Sequence, residues 1–100
     1  MTKEIWKDIV GHEGRYQVSN KGRVKSLKFG KERIMKQSLN SAGYPILNLC
    51  KEGKRKTFQV HQVVAIAFLN HVPDGNKLVV DHRNNDKINN SLSNLRSKLK

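Results

Sequence analysis

The chain has 100 residues, enough for one small domain or for two small modules that share a core. Its single cysteine, Cys50, excludes an intramolecular disulfide, and without paired cysteines a structural zinc ribbon is not expected. Twenty Lys and Arg against eight Asp and Glu give a net charge of +12. This charge favours a nucleic-acid partner, while a solubility surface or an anionic-lipid contact stays open as an alternative.

The positive charge is concentrated in the N-terminal part of the sequence. Residues 1–60 hold fourteen basic and five acidic side chains, whereas residues 61–100 hold six and three. The first ten residues lack an apolar stretch of signal-peptide length, and the longest apolar run, Val63 to Leu69, is too short to span a membrane. We therefore expect a soluble protein of the cytoplasm with no membrane partner.

The first predicted element is a β-hairpin in RYQVSNKGRVKSLK, Arg15 to Lys28. Apolar Tyr16 and Val18 alternate with polar residues, and Asn20-Lys21-Gly22 supplies the chemistry of a turn. A basic two-stranded ribbon has the dimensions of a DNA major groove, although ordinary exposed strand positions give the same alternation. The side chains expected to share the solvent face are Arg15, Gln17, Arg23 and Lys25.

The rest of the chain predicts a second hairpin, a short helix and a final strand. The hairpin is predicted over Tyr44 to Cys50 and Lys56 to His61, after a basic stretch at Lys31 to Lys36 and a loop at Asn40 to Gly43. His61 to Leu69 is apolar nearly all round and predicts a buried helix that ends before a loop at Pro73 to Gly75. Leu78 to Asp81 predicts a strand. The expected core anchors are Trp6, Phe58 and Phe68.

Asp81 and His82 end that strand and form the candidate site. A carboxylate is a good protein anchor for a hard divalent cation, and an imidazole can take a proton from water near neutral pH. Adjacent strand residues point to opposite faces, so the two groups could address a metal and a water separately. Asn94, twelve residues later, could orient the imidazole if the loop folds back. An Asn-rich segment is also typical of ordinary turns, which stays open as the alternative.

Two motifs carry a resemblance to a known family. VHQVVAIAFLNHVPDGNKLVVDHRNNDKINNSLSNLR, Val60 to Arg96, resembles the core of HNH endonucleases of the phage and intron homing type. Upstream, EIWKDIVGHEGRYQVSNKGRVKSL, Glu4 to Leu27, resembles the nuclease-associated modular (NUMOD) domain that often precedes this core. The two motifs occur in the expected order and cover most of the chain.

The resemblance implies a ββα-metal fold that binds one divalent cation, Mg²⁺ or Mn²⁺, against double-stranded DNA. By this analogy Asp81 is a metal ligand, His82 is the general base and Asn94 orients His82. His61 matches a position that we interpret as structural, at the start of the helix. The residues expected to contact DNA are Arg15, Gln17, Lys21, Arg23, Lys25, Lys28, Arg33, Arg83 and Arg96.

One departure concerns the third residue of the family motif. In the family a His or Asn from a helix after N-L-R completes the metal site, whereas here four residues follow Arg96. We therefore expect a core truncated before its final helix, with weak affinity for the cation. A nearby oxygen-bearing side chain could substitute for the missing ligand. The candidates are Asn84, Asn85, Asp86, Asn89 and Asn90.

The expected architecture is α+β, with an N-terminal basic β-rich DNA-binding module over residues 1–50 and a truncated HNH-like core over residues 51–100. The first functional hypothesis is a metal-dependent DNA endonuclease that nicks one strand. The second is a catalytically incompetent relative that binds DNA as a regulatory or inhibitory phage protein. A basic RNA-binding protein is allowed by charge alone. In each case we expect no small-molecule cofactor and, from the resemblance, a phage or mobile-element origin with a bacterial host cytoplasm.

Overall fold

The computed structural model describes residues 3–69 and 78–99. Within these ranges the chain forms antiparallel sheets and one α-helix, which confirms the predicted α+β class. The loop predicted at Pro73 to Gly75 lies outside the described residues. The strands are β1 (Trp6–Asp8), β2 (Tyr16–Ser19), β3 (Val24–Ser26), β4 (Arg33–Ile34), β5 (Ser38–Leu39), β6 (Pro45–Lys51), β7 (Lys54–Gln59), β8 (Leu78–His82) and β9 (Leu95–Leu99), and the helix α1 spans Val60–Phe68.

The N-terminal sheet has the strand order β1-β2-β3-β4. Its centre is the predicted hairpin, which is confirmed, with Val18 opposite Val24 and Gln17 opposite Lys25. The alternation of side chains buries Tyr16, Val18 and Val24 on one face, as the apolar pattern requires. The short edge strands β1 and β4, which carried no alternation of their own, extend the hairpin on both sides.

The second predicted hairpin is also confirmed, as strands β6 and β7 of a sheet ordered β5-β6-β7. Leu47 and Leu49 of β6 are buried, while Asn48 between them is exposed. The hairpin therefore presents one face to the core and one to solvent. Its far end is a turn at Glu52 and Gly53, both with positive φ, between Lys51 and Lys54.

Helix α1 begins at Val60, directly after β7, and lies in the centre of the molecule. Val60, Val63 and Val64 are buried, so the predicted buried helix is confirmed, beginning one residue earlier than expected. Side chains from both predicted modules meet this helix and form one apolar cluster. The buried members of the cluster are Ile9, Tyr16, Val18, Val24, Leu47, Leu49, Val60, Val63, Val64 and Leu95. In the described part of the chain, no helix has the length and apolar character needed to cross a membrane.

Trp6 does not lie in this core, contrary to its prediction as an anchor. It is half-buried on the other face of the N-terminal sheet, where the Lys25 ammonium lies 4.4 Å from its ring centroid. Phe58 and Phe68 do pack against the core as partly buried side chains. Aromatic size alone predicted burial for Trp6, but its position in β1 directs the ring away from Val18 and Val24.

Strands β8 and β9 form a two-stranded sheet of their own. β8 was predicted, whereas β9 follows a single 3₁₀ turn at Leu92–Asn94 and was not. The register places Asp81 opposite Arg96 and His82 opposite Leu95. Because Leu95 is buried in the common core, this pairing fixes the end of β8 to the rest of the molecule.

The turn of the first hairpin rests on the loop that follows β8. The Leu92 amide donates to the Asn20 carbonyl at 2.7 Å. Gly22, at φ +84°, lies so close to Asn90 that a Cβ on the glycine would be 2.9 Å from the Asn90 carbonyl oxygen. Glycine is needed here both for the left-handed backbone and for this close approach.

We predict that Gly22→Ala destabilises the protein by roughly 2–4 kcal/mol, because left-handed strain and displacement of the Asn90 backbone add together. Gly14→Ala is the matched control, since Gly14 has φ +77° but no atom within 4 Å of the Cβ position. That variant is expected to lose only about 1–2 kcal/mol. Urea denaturation followed by circular dichroism measures both losses, and equal losses would contradict the packing argument.

Candidate active site

Asp81 and His82 lie at the end of β8 and open onto a cleft of about 180 Å³. His82 is buried, with 7% of its surface exposed, whereas Asp81 is half-buried. The imidazole is therefore held within the protein, while the carboxylate reaches the cleft and the solvent. The residues that line the cleft are Tyr44, Val80, Asp81, His82, Asn85 and Lys87.

The His82 imidazole is held by the side chain of Asn90. His82 Nε2 lies 2.7 Å from Asn90 Oδ1, and both side chains are buried. An amide oxygen can only accept, so in this arrangement Nε2 donates its proton and Nδ1 is left as the basic nitrogen of the neutral ring. The bond thus selects both the tautomer and the orientation of the imidazole.

Asn94, the predicted partner of His82, instead braces the loop between the two strands. Its Nδ2 donates to Asn84 Oδ1 at 3.0 Å and to the Asn89 carbonyl at 2.9 Å. Its Oδ1 accepts from the Asn84 amide at 3.3 Å. The 3₁₀ turn before β9 directs the Asn94 side chain into the loop, so Asn90, four residues earlier, reaches the imidazole.

Two further aromatic rings pack beside His82. The His61 ring centroid is 5.0 Å from that of His82, and the Tyr44 centroid is 5.9 Å from it. Burial, and secondarily the neighbouring His82, lowers the pKa of His61 to about 4, so this ring is neutral at physiological pH. His61 at the start of α1 was predicted as a structural residue, whereas no pattern in the sequence indicated Tyr44.

Lys87 brings a positive charge to the edge of the cleft. Its ammonium donates to the Ala42 carbonyl at 2.8 Å and lies 4.9 Å from the centroid of the Tyr44 ring. In the same loop, Asn85 has a left-handed backbone with φ 62°, and its backbone N–H donates to the His82 carbonyl at 2.9 Å. These contacts fix the loop around the two candidate residues.

Asp81 forms an ion pair across the two-stranded sheet. Arg96 Nε donates to Asp81 Oδ2 at 3.0 Å, as expected for residues directly opposite each other. Arg96 was predicted as a DNA contact, and in this structure its guanidinium binds the candidate metal ligand. Both side chains remain solvent-accessible, at 52% for Arg96 and 24% for Asp81, so the pair can rearrange.

The donor set around Asp81 suits a hard cation that keeps part of its water shell. The cleft offers the Asp81 carboxylate and the Asn85 amide, and Mg²⁺ is commonly held by one or two carboxylates plus waters. Over residues 3–69 and 78–99 there is no cluster of three or more His, Cys, Asp or Glu side chains that would enclose a metal. The residues present therefore fit a solvated divalent cation rather than a tightly enclosed one.

The predicted basic face of the first hairpin is largely occupied by internal contacts. Arg23 forms an ion pair with Glu4 and thereby lowers the pKa of that carboxyl to about 2. Lys25 Nζ lies 2.9 Å from Glu32 Oε1, and only 9% of the Lys25 residue is exposed.

Gln17 likewise donates to Asp8 Oδ1 at 3.1 Å. Three of the four side chains predicted to form the solvent face of the ribbon thus have intramolecular partners. Other predicted DNA contacts lie on the surface. These exposed side chains are Arg15, Lys21, Lys28, Arg33 and Arg83.

Two family profiles match the chain. Residues 4–50 match the NUMOD4 motif, and residues 58–98 match the HNH endonuclease family. The matches follow the order of the sheets described above, with the NUMOD4 part ending in β6 and the HNH part running from β7 into β9. The chain therefore carries a NUMOD4 motif followed by an HNH endonuclease segment.

Similar proteins occur in viruses of bacteria and of amoebae. DNA endonuclease I-HmuI of Bacillus phage SP01 is 52% identical over 91% of this chain and 50% of its own length. H-N-H endonuclease F-TflII of Escherichia phage T5 is 35% identical over 87% of this chain and 44% of its own length. HNH endonuclease L245 of Acanthamoeba polyphaga mimivirus is 39% identical over 90% of this chain and 26% of its own length. The chain thus spans about half or less of the length of these relatives.

A solved structure of the HNH homing endonuclease I-HmuI, described as showing DNA binding and cleavage, has the same fold. It superposes with a TM-score of 0.83 and 49% identity, covering 95% of this chain and 52% of that chain. The strand-rich arrangement with one helix is therefore an HNH endonuclease architecture, as the sequence resemblance implied.

We predict that the stability of the wild-type protein falls as the pH is lowered from about 6.5 towards 4. In this window the unfolded chain binds a proton at His61 that the folded chain excludes, so acidification favours unfolding. His61→Phe removes this contribution. Melting temperatures measured across the window should therefore decline less steeply for the variant than for the wild type, and parallel declines would contradict a buried neutral His61.

Proposed function

We propose that this chain is the DNA-cleaving part of a metal-dependent HNH endonuclease that hydrolyses a phosphodiester bond in one strand of DNA. One observation carries the proposal. A buried imidazole, fixed through Nε2 by Asn90, lies next to the Asp81 carboxylate at the mouth of an open cleft. The match of residues 58–98 to the HNH endonuclease family and the similarity to I-HmuI, whose structure is described as DNA binding and cleavage, support the same reaction.

His82 is the proposed general base. Its Nδ1 would take a proton from a water whose oxygen forms a bond to phosphorus, while the P–O bond to the leaving oxygen breaks and that oxygen takes a proton from solvent. The bond from Nε2–H to Asn90 favours this role, because it stabilises the imidazolium that results. The neutral His61 ring adds no competing positive charge at neutral pH.

Asp81 is the proposed metal ligand, with Asn85 as a second oxygen donor. HNH endonucleases generally use a divalent metal ion, and we propose Mg²⁺ or Mn²⁺ because carboxylate and amide oxygens suit both. When bound, such a cation would neutralise charge on the scissile phosphate. Arg96 would then be released from Asp81 Oδ2 and become available to DNA phosphates, consistent with its exposed position.

Double-stranded DNA is the proposed partner, with the N-terminal residues 1–50 as the main binding module and residues 51–100 as the HNH core. The net charge of +12 and the exposed cations on the N-terminal sheet favour a phosphate backbone. The relatives from phages suggest that the protein acts inside an infected host cell, and we propose the bacterial cytoplasm.

A second candidate is DNA binding without cleavage. The ion pair between Asp81 and Arg96 favours it, because the guanidinium competes with a cation for the same carboxylate oxygen. Among the described residues, no group of three or more His, Cys, Asp or Glu side chains offsets that competition. In this case the chain would occupy DNA and exclude other proteins, without hydrolysis.

We predict that the protein nicks supercoiled plasmid in Mg²⁺ or Mn²⁺ and that His82→Ala lowers the rate by about 10²–10⁴-fold, as expected for loss of a general base. The matched control is His12→Ala, which removes a half-buried histidine that packs against Tyr16 and Phe58, away from the cleft. Nicking is followed on agarose gels, with chelator added as a second control.

Intact DNA binding with no nicking in either metal would exclude the enzyme and leave the second candidate. Equal rates for wild type and His82→Ala would contradict the role of this imidazole.

We predict different effects when Asn90 and Asn94 are each changed to Asp: the first should largely retain nicking, and the second should destabilise the fold. Asn90→Asp keeps an oxygen on His82 Nε2 and should retain nicking within about tenfold, whereas Asn90→Leu should lose about 10–100-fold. Asn94→Asp replaces a donor to Asn84 and Asn89 with an acceptor, so it should cost about 2–3 kcal/mol of stability. If Asn90→Asp and Asn90→Leu are equally impaired, Asn90 does not orient His82 through its oxygen.

A further inference from the structure

Phe29 is the most exposed large apolar side chain among the described residues. It is 96% exposed, compared with 65% for Val10 and 62% for Leu39 and Ile88. The residue lies in the connection between β3 and β4, at the outer edge of the N-terminal sheet. The ring therefore contributes almost no buried apolar area to the fold.

The backbone holds this ring outward in a strained conformation. Phe29 has φ 59° and ψ 28°, the left-handed region that residues with a Cβ rarely adopt, and Gly30 follows at φ 70°. The turn is closed by the Lys31 amide, which donates to the Lys28 carbonyl at 3.1 Å. Strain of this kind is typical of positions selected for contact rather than for stability.

Three cationic side chains line the same groove as the Phe29 ring. Lys28, Lys31 and Arg33 are all exposed, and with Phe29 they line an open groove of about 680 Å³. Glu32, the acidic member of the loop, is paired with Lys25 at 2.9 Å, so its charge is offset. The groove therefore presents a positive rim and one free aromatic face.

We propose that Phe29 stacks on a base of bound DNA while Lys28, Lys31 and Arg33 hold the adjacent phosphates. The proposal rests on DNA as the partner of this chain and adds a contact to the bases, independent of their sequence, to the contacts with the backbone. Phosphates bind cations, and every base offers a π-face to an aromatic ring, which also wedges readily into a base step. An anionic lipid surface carries negative charge as DNA does, but one phenyl ring contributes too little burial for stable membrane attachment.

The test is equilibrium binding of the full chain to a fluorescently labelled, mixed-sequence duplex, measured by anisotropy at several salt concentrations. Phe29→Ala is expected to weaken binding roughly 5- to 150-fold, the usual effect of losing one stacking contact. The slope of log affinity against log salt should stay unchanged, because the ring carries no charge. Lys28→Ala should instead reduce that slope by about 0.9, the effect of one phosphate contact.

Three controls separate stacking from other effects. Phe29→Trp keeps an aromatic face and should bind at least as tightly as the wild type. Val10→Ala removes another exposed apolar side chain and should bind as the wild type does. The melting temperature of Phe29→Ala should not fall, since the ring is 96% exposed and supports no packing.

Unchanged DNA affinity for Phe29→Ala would overturn the proposal while leaving the proposed endonuclease intact, provided the wild type binds and nicks. Failure of the wild-type protein to bind duplex DNA would overturn both. Loss of binding to phosphatidylglycerol vesicles in Phe29→Ala, with DNA affinity retained, would also overturn it and assign the ring to a lipid surface.

Discussion

The contact between the first hairpin turn and the loop after β8 is the constraint on which the candidate site depends. Gly22 allows the Asn90 backbone to approach, and the Asn20 carbonyl accepts from Leu92 at 2.7 Å. Asn90 in turn holds His82. The orientation of the proposed base is therefore set by a turn in the NUMOD4 segment, so the two segments work as one unit although they match separate families.

Charge in this protein acts at two levels that oppose each other. The whole chain is strongly positive, which attracts a polyanion from a distance. Close to the N-terminal sheet, however, Glu4 and Glu32 neutralise Arg23 and Lys25. Cations that can meet phosphates directly are consequently found at turns and edges, and the centre of the ribbon is held in a fixed shape by its own ion pairs.

Periodic parts of the structure could be predicted from the sequence, and the partners of individual side chains could not. Alternation around Val18 and Val24 and the apolar run of α1 follow from burial, which depends only on spacing. Asn94 was predicted to orient His82 from its spacing and from the family motif, whereas loop geometry places Asn90 on the imidazole and Asn94 on Asn84. Pairing of Arg96 with Asp81 likewise depended on β9, a strand without a recognisable pattern.

The position of Trp6 allows the N-terminal sheet to be followed by tryptophan fluorescence. It is the single tryptophan of the chain, and it lies outside the core with Lys25 and Arg23 over its ring, at 4.4 and 5.7 Å. Indole emission is sensitive to nearby charges, so any ligand that draws these two cations away changes the fluorescence without unfolding the protein. Trp6 is therefore an intrinsic fluorescent probe of the surface on which Arg23 and Lys25 form their ion pairs.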